Sequence, residues 1–444
     1  MDFARMVRLL FAVTLLGFAL SCVAARDACA IPAFARRYET SCQTCHLAFP
    51  KLTPFGEAFR RNAYRFPDGG DDLSEKLAPV SLGADAQKDL WPKAVHPGEI
   101  PGQVPLSVLV DGMATYGDAP SAHSGAHAGH ISATTGGHED KFIGLGTLGG
   151  HVGLRSAGKL GDLASFLASI DVGGHEPIAV ERGNLILTPL GPTALHVKLG
   201  RFEPEVHGLS IHRGLVGHQL ALTTTPFGAN ASVLEPNRTG IELSGVAAGR
   251  FGWSAGAVEN ATPDLYNDKD VYGRVEAKLG GMRLDGVGAE AQSAAWRERS
   301  VTLGASGWVG KAAVAETGTA WHDDAFVRAG VDLHAVFDDL LVDLVAARQM
   351  NESPTPRFHD GGTLDQLFAE VTYVTSAVFF PTVRFESARV SELDEENGVR
   401  WQAMAAINAL LRPNVLLRAE GALAAAPGDH AEFSYAALAF STAF

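Results

Sequence analysis

From residue 105 onward apolar side chains recur at every second position, and the alternating runs are broken by hairpin-type residues. Gly240-Ile241-Glu242-Leu243-Ser244-Gly245-Val246 leads to a tight turn at Gly249-Arg250, and Phe251 to Glu259 returns. Further short turns fit at Gly280-Gly281, Gly310-Lys311, Asp338-Asp339 and Arg412-Pro413-Asn414. Longer polar connections fit at Asn260 to Lys269, Asn351 to Gly362 and Ser391 to Asn397. Short and long connections therefore alternate, as they do when strands shuttle across a membrane between a periplasmic and an extracellular side. At the C-terminus Ala436, Leu438, Phe440, Thr442 and Phe444 share one face, and Ala437, Ala439, Ser441 and Ala443 the other. Large residues then meet lipid and small ones the lumen. The pattern predicts an all-β transmembrane barrel of about 16 to 18 antiparallel strands.

The first hundred residues follow different rules. Arg5 and Arg8 precede an apolar run from Leu9 to Leu20, followed by small residues up to Ala30. Residues 1–30 thus read as a secretory signal peptide, which carries Cys22 and Cys29 as passengers. Residues 67–104 are rich in Asp, Gly and Pro, and Pro79, Pro92, Pro97 and Pro101 break any long helix there. They form a linker between residues 31–66 and the barrel of residues 105–444.

Residues 31–66 hold the chemistry. Cys42-Gln43-Thr44-Cys45-His46 has the spacing of a c-type haem attachment site. Two thiols three residues apart share a helical face and can both form thioethers with one macrocycle, which places His46 as an iron ligand. A zinc ribbon needs a second cysteine pair, and the other two cysteines belong to the leader or its margin. A thioredoxin-type dithiol has no use for His46. Thr53 caps a helix that begins at Pro54, with Glu57 in its first turn and Phe55 and Phe59 on one side. Arg36, Arg37, Arg60, Arg61 and Arg65 surround this apolar pair, either as partners of haem propionates or as solvated side chains.

No methionine occurs between Leu47 and Gly112, so the sixth iron ligand must come from elsewhere. His212 leads the candidates, from a group with His207 and His218, and His96 and Met113 follow. So small a helical module cannot sustain a core alone. A lumen wall would support it, and the module is expected to plug the barrel.

The balance of 36 Lys and Arg against 50 Asp and Glu, a net charge of -14, argues against nucleic acid. The stretch Gly117 to Lys141 carries His123, His127, His130 and His138 beside Glu139 and Asp140, a composition that suits either binding of borderline metals such as iron, copper or zinc or a flexible polar loop that meets metals only adventitiously. His322, Asp323, Asp324, His359 and Asp360 repeat the theme as expected loop residues.

The segment Ile31-Pro32-Ala33-Phe34-Ala35-Arg36-Arg37-Tyr38, the attachment motif, Phe49-Pro50-Lys51-Leu52-Thr53-Pro54-Phe55-Gly56 and Phe59-Arg60-Arg61-Asn62-Ala63-Tyr64 together resemble the fused monohaem cytochrome-porins of the bacterial outer membrane, which include the outer-membrane iron oxidases. One departure is Ala63, where relatives commonly carry Gly. The resemblance implies one covalent haem c and an outer-membrane electron conduit, with the haem module inside the barrel or on its periplasmic side. It also implies an extracellular metal ion or other redox partner, plausibly ferrous iron, and a periplasmic carrier such as a soluble c-type cytochrome. The activity would then be that of an iron(II):cytochrome c oxidoreductase. The alternative is a porin-like transport or binding barrel in which the haem is structural or sensory.

Overall fold

The computed structural model describes Phe34, residues 40–65, the pair 80–81 and 99–100, and residues 106–443 apart from several connecting segments, the longest being 118–142. The signal peptide, His96, the histidines of the 117–141 stretch, His218, His359 and Asp360 lie outside the described residues.

Sixteen antiparallel strands close into a barrel. The first is β5 (Leu106–Gly117). The chain continues through β7 (His151–Leu160), with a two-residue outlier β6 (Ile143–Gly144), then β8 (Ala164–Gly173), β9 (Glu176–Leu187) and β10 (His196–Phe202). There follow β11 (Arg238–Ala247), β12 (Phe251–Glu259), β13 (Lys269–Gly280), β14 (Arg299–Ala315), β15 (Trp321–Phe337) and β16 (Leu340–Asn351). The remaining strands are β17 (Gly362–Tyr373), β18 (Phe379–Ser391), β19 (Gly398–Arg412), β20 (Val415–Ala425) and β21 (Glu432–Ala443). β21 closes on β5, with Ala443 opposite Leu109 and Phe440 opposite Gly112. Gly112 leaves the outer face open for the Phe440 ring, since a Cβ there would sit 2.3 Å from it.

The strands are inverted relative to those of a water-soluble sheet. On β15, Arg328, Gly330 and Asp332 turn inward and are buried, and Val327 and Val331 turn outward and are exposed. On β13, Arg274, Glu276 and Lys278 face in, and Val271, Val275 and Leu279 face out. An apolar outside and a charged inside suit a lipid exterior and a polar lumen. Among the described residues no helix is long and apolar enough to cross a membrane.

The hairpin at 248–250, the turns at 338–339 and 413–414 and the three long connections stand where the sequence places them. Three expectations fail. Gly310-Lys311 lies within β14, where Gly310 faces Phe326 of β15 in unbroken register. A turn was expected because Gly and Lys interrupt the apolar run, yet the pair marks only the crowding around Asp270, whose carboxylate would lie 2.3 Å from a Cβ at Gly310. Gly280-Gly281 does end a strand, but the chain then takes the longer connection 281–298. His322, Asp323 and Asp324 are likewise strand residues, not loop residues. Asp324 is buried and accepts from Asn230, Asn351 and the Ser353 amide, so its charge serves the fold.

Residues 41–65 form a compact unit: α1 (Cys42–Cys45), β1 (His46–Ala48), β2 (Lys51–Leu52) and α2 (Pro54–Arg61). Within the expected linker, β3 (Val80–Ser81) pairs with β4 (Glu99–Ile100).

The outer face yields a first test. Val331→Arg places a charge on the lipid side near the middle of β15 and is expected to cost about 2–4 kcal/mol. Denaturant unfolding in lipid bilayers measures it, with Ala325→Arg nearer the strand end expected to cost less.

Candidate functional site

The 41–65 unit sits inside the barrel, at the end that carries the short turns and both barrel termini. Three side chains, each donating to backbone carbonyls, fix that end. Gln43 Nε2 donates to the Ala377 carbonyl at 2.9 Å, in the β17–β18 turn. Arg65 Nη2 donates to the carbonyls of Gly161 and Ala164 at 3.2 and 2.8 Å, around the β7–β8 turn. Asn62 Nδ2 donates to the Asp285 carbonyl at 2.7 Å, in the 281–298 connection. Leu47 and Ala48 join Val336, Leu341, Val374, Phe380, Leu410 and Leu416 of the wall in one buried apolar cluster.

A second segment closes on the unit from the opposite side. Residues 203–216, after β10, turn into the lumen, and fully buried Leu215 packs in the same cluster as Leu47.

Ion pairs complete the seat. Lys51 Nζ, buried, donates to Asp343 Oδ2 at 3.0 Å and Glu370 Oε1 at 2.8 Å. Glu370 is also held by Arg384 at 2.7 Å. Arg60 pairs with Glu205, Arg61 with Glu276, and Glu57 with Arg60 at 3.1 Å and Arg213 at 3.5 Å. The arginines thus bind the wall and the inward segment, and neither sequence-level role for Arg60, Arg61 and Arg65 anticipated that. Burial alone would lower the Lys51 pKa, but Asp343 and Glu370 outweigh it and hold the ammonium raised. Burial would raise the Glu57 pKa, but Arg213, Arg60 and Arg61 hold that carboxyl at about 2.

The motif residues occupy the turn-side face of the plug. Ser41 caps α1, its hydroxyl accepting from the Gln43 amide at 3.3 Å. Cys42 and Cys45 are free thiols on that single turn, both half-buried. Burial pushes the Cys45 thiol up to about 12, with Cys42 beside it adding to the effect. His46 leaves the helix in extended backbone, and its Nδ1 lies 3.3 Å from the Pro50 carbonyl. A carbonyl only accepts, so Nδ1 carries the proton and Nε2 keeps its lone pair. Withdrawal from water lowers the His46 pKa to about 4.

The second helix is set by Thr53, whose Oγ1 accepts from the Gly56 amide at 3.2 Å and donates to the Thr44 carbonyl at 2.8 Å. A Cβ at Gly56 would lie 2.0 Å from the Cys45 carbonyl oxygen, so only glycine lets α2 approach α1. Phe59 meets Phe34 edge-on at 5.0 Å, and Phe34 stacks on Tyr64 at 5.8 Å. Ala63 adopts φ 56, a left-handed conformation glycine takes freely, so the turn forms even with alanine there.

Of the other expected ligands, His212 lies on the inward segment with Nδ1 3.2 Å from Glu181 and Nε2 3.5 Å from Asn237 Nδ2. Met113 is on β5, packed against the cluster of Val216, Met404 and Tyr435. His207 is buried beside Gly330, and neither ring nitrogen has a hydrogen-bond partner among the described residues. Sequence reasoning missed His334, Asp343, Glu370, Glu205 and Glu276. Their signal was ionisable residues on the inward phase of strands or the inward loop, which alternation alone credits to a wet lumen. Among the described residues no group of three or more His, Cys, Asp or Glu could hold a metal ion unaided.

With the barrel, plug and inward segment in view, comparison with solved structures is decisive for the fold. The anion-selective porin from Comamonas acidovorans superposes with a TM-score of 0.51 at 15% identity, covering 76% of this chain and 98% of that one. The fold is that of the outer-membrane porins. The outer membrane channel DcaP of Acinetobacter baumannii gives 0.50 at 11% identity, covering 76% and 96%. OmpT of Vibrio cholerae in its trimer form gives 0.50 at 10%, covering 76% and 98%. By sequence, no family model and no curated protein matches.

Two outcomes follow from the seat. Lys51→Met leaves Asp343 and Glu370 short of their buried counter-charge and is expected to weaken docking by about 3–5 kcal/mol. Limited proteolysis of the folded protein should then cut within residues 41–65, which resist in the wild type. Because the Glu57 pKa is depressed on docking, its contribution is complete above the unfolded value near 4.5 and declines as the pH falls towards about 2. The same proteolysis, run from pH 5 down to pH 2, should show the unit loosening over that window.

Proposed function

We propose that this chain is an outer-membrane electron conduit, in which one haem c is held by the plug within a porin-type barrel. The observation that carries the reading is the placement of a C-x-x-C-H turn on an ion-paired plug inside the lumen. Cys42 and Cys45 would form the thioethers and His46 would supply a nitrogen to the iron. The residues fit that group. Both thiols are unpaired and share one helical turn, and the Pro50 carbonyl leaves His46 Nε2 as the nitrogen with a lone pair. When bound, haem supplies one-electron exchange.

The chain's own residues do the rest. Gly56 brings α2 against the attachment turn, and Phe34, Phe59 and Tyr64 supply apolar surface that excludes water. Lys51 and Arg61 fix the plug to the wall and Arg60 ties it to the inward segment, so that the distance from the periplasmic face is set by the barrel. The termini and short turns mark that face by the usual distribution of connections in such barrels. Ferrous iron or another extracellular reductant is the donor on this reading, and a soluble periplasmic c-type cytochrome the acceptor. Outer-membrane lipid surrounds the exposed valines and leucines.

A porin-like transport barrel, with a structural or sensory haem, is the second reading. The likeness to porin structures favours it.

Proteoliposomes with oxidised cytochrome c trapped inside separate the two. External ferrous iron should reduce the trapped cytochrome through the wild type, and Cys42→Ala with Cys45→Ala should reduce the rate at least tenfold. Equal rates for both proteins would mean that iron diffuses through an open pore, and the conduit would be abandoned.

A further inference from the structure

We propose that His334 is the second axial ligand of the haem iron, an inference that rests on the haem reading above. His334 and Asp343 are directly opposed across β15 and β16, and His334 Nδ1 lies 2.5 Å from Asp343 Oδ1. The other oxygen of that carboxylate accepts from Lys51 Nζ at 3.0 Å. Asp343 is therefore an ionised acceptor shared between the wall histidine and the plug. An ionised carboxylate only accepts, so Nδ1 carries a proton and Nε2 is the nitrogen through which the neutral ring would bind a metal. Histidines that bind metals are oriented by a carboxylate on the far nitrogen in this same way. His46 has the same arrangement, with the Pro50 carbonyl as acceptor.

Position favours His334 over the other lumen histidines. Its side chain is about one-third exposed and lines the cavity between plug and wall, as His207 does, together with Leu47, Leu52, Pro54 and Glu57 of the plug. It stands two residues from Val336, which packs with Leu47. His207 sits against Gly330, four residues farther along β15 from the turn end that carries the motif. His212 has partners on both ring nitrogens, Glu181 of β9 and Asn237. Lys51 gives the dyad a further consequence: docking of the plug and orientation of the ligand share one carboxylate, so a misplaced plug leaves the ring unaligned.

The test uses the full-length protein purified in detergent, with heat-modifiable gel migration confirming a folded barrel. Haem staining of denaturing gels comes first. No covalent stain in the wild type would overturn the haem reading and this proposal with it. With stain present, the wild type is expected to show a low-spin ferric spectrum by absorption and electron paramagnetic resonance. His334→Gly should keep the stain, turn the spectrum high-spin, and regain the low-spin form when free imidazole is added. His334→Met should raise the midpoint potential. His207→Ala and His212→Ala should retain the wild-type spectrum. A stained His334→Gly protein that remains low-spin, or a switch to high-spin in His207→Ala or His212→Ala instead, would overturn the ligand assignment and leave the haem reading intact.

Discussion

The arrangement depends on a single buried ammonium. Lys51 enters the lumen between Asp343 and Glu370, two carboxylates on neighbouring strands that would repel each other without it. Such a pair contributes little net stability compared with apolar packing, but a lone member in a dry site is costly. The consequence is specificity of position: wall acids and plug cations are each poor tenants alone, so the plug has one seat. Arg61 with Glu276 of the wall and Arg60 with Glu205 of the inward segment repeat the logic.

A porin needs none of this. Its lumen is polar because water fills it, and charges there can remain hydrated. Here Asp343, Glu370, Glu276 and Arg384 are almost wholly buried, and the first three find their counter-charge wholly or partly on the plug. The inner wall is written for an occupant. Apolar Leu47, Ala48 and Leu215 then add a dry contact where plug, wall and inward segment meet.

The barrel was legible because its period is two and lipid enforces it at every outward position; β12, the 338–339 turn and β21 emerge directly from alternation. Gly310-Lys311 misled because glycine in a crowded lumen strand looks the same as glycine in a turn. The cap at Thr53 and the helix from Pro54 were legible because their signals are local. The seat was not. Nothing near Lys51 in sequence announces Asp343 or Glu370, some 300 residues away, and inward acids on strands read as lumen solvation until the plug is placed. Arg60 and Arg61 were open to two roles for the same reason, and the wall decided for a third.

The central claim is that this seat exists to hold a covalently attached haem. Intact-protein mass spectrometry of the purified chain, followed by mapping of the peptide that contains Cys42 and Cys45, addresses it most directly. The account predicts a mass increase of one haem, located on that peptide, with neither thiol open to alkylation. An unmodified mass with both thiols alkylated in the folded, membrane-extracted protein would contradict it.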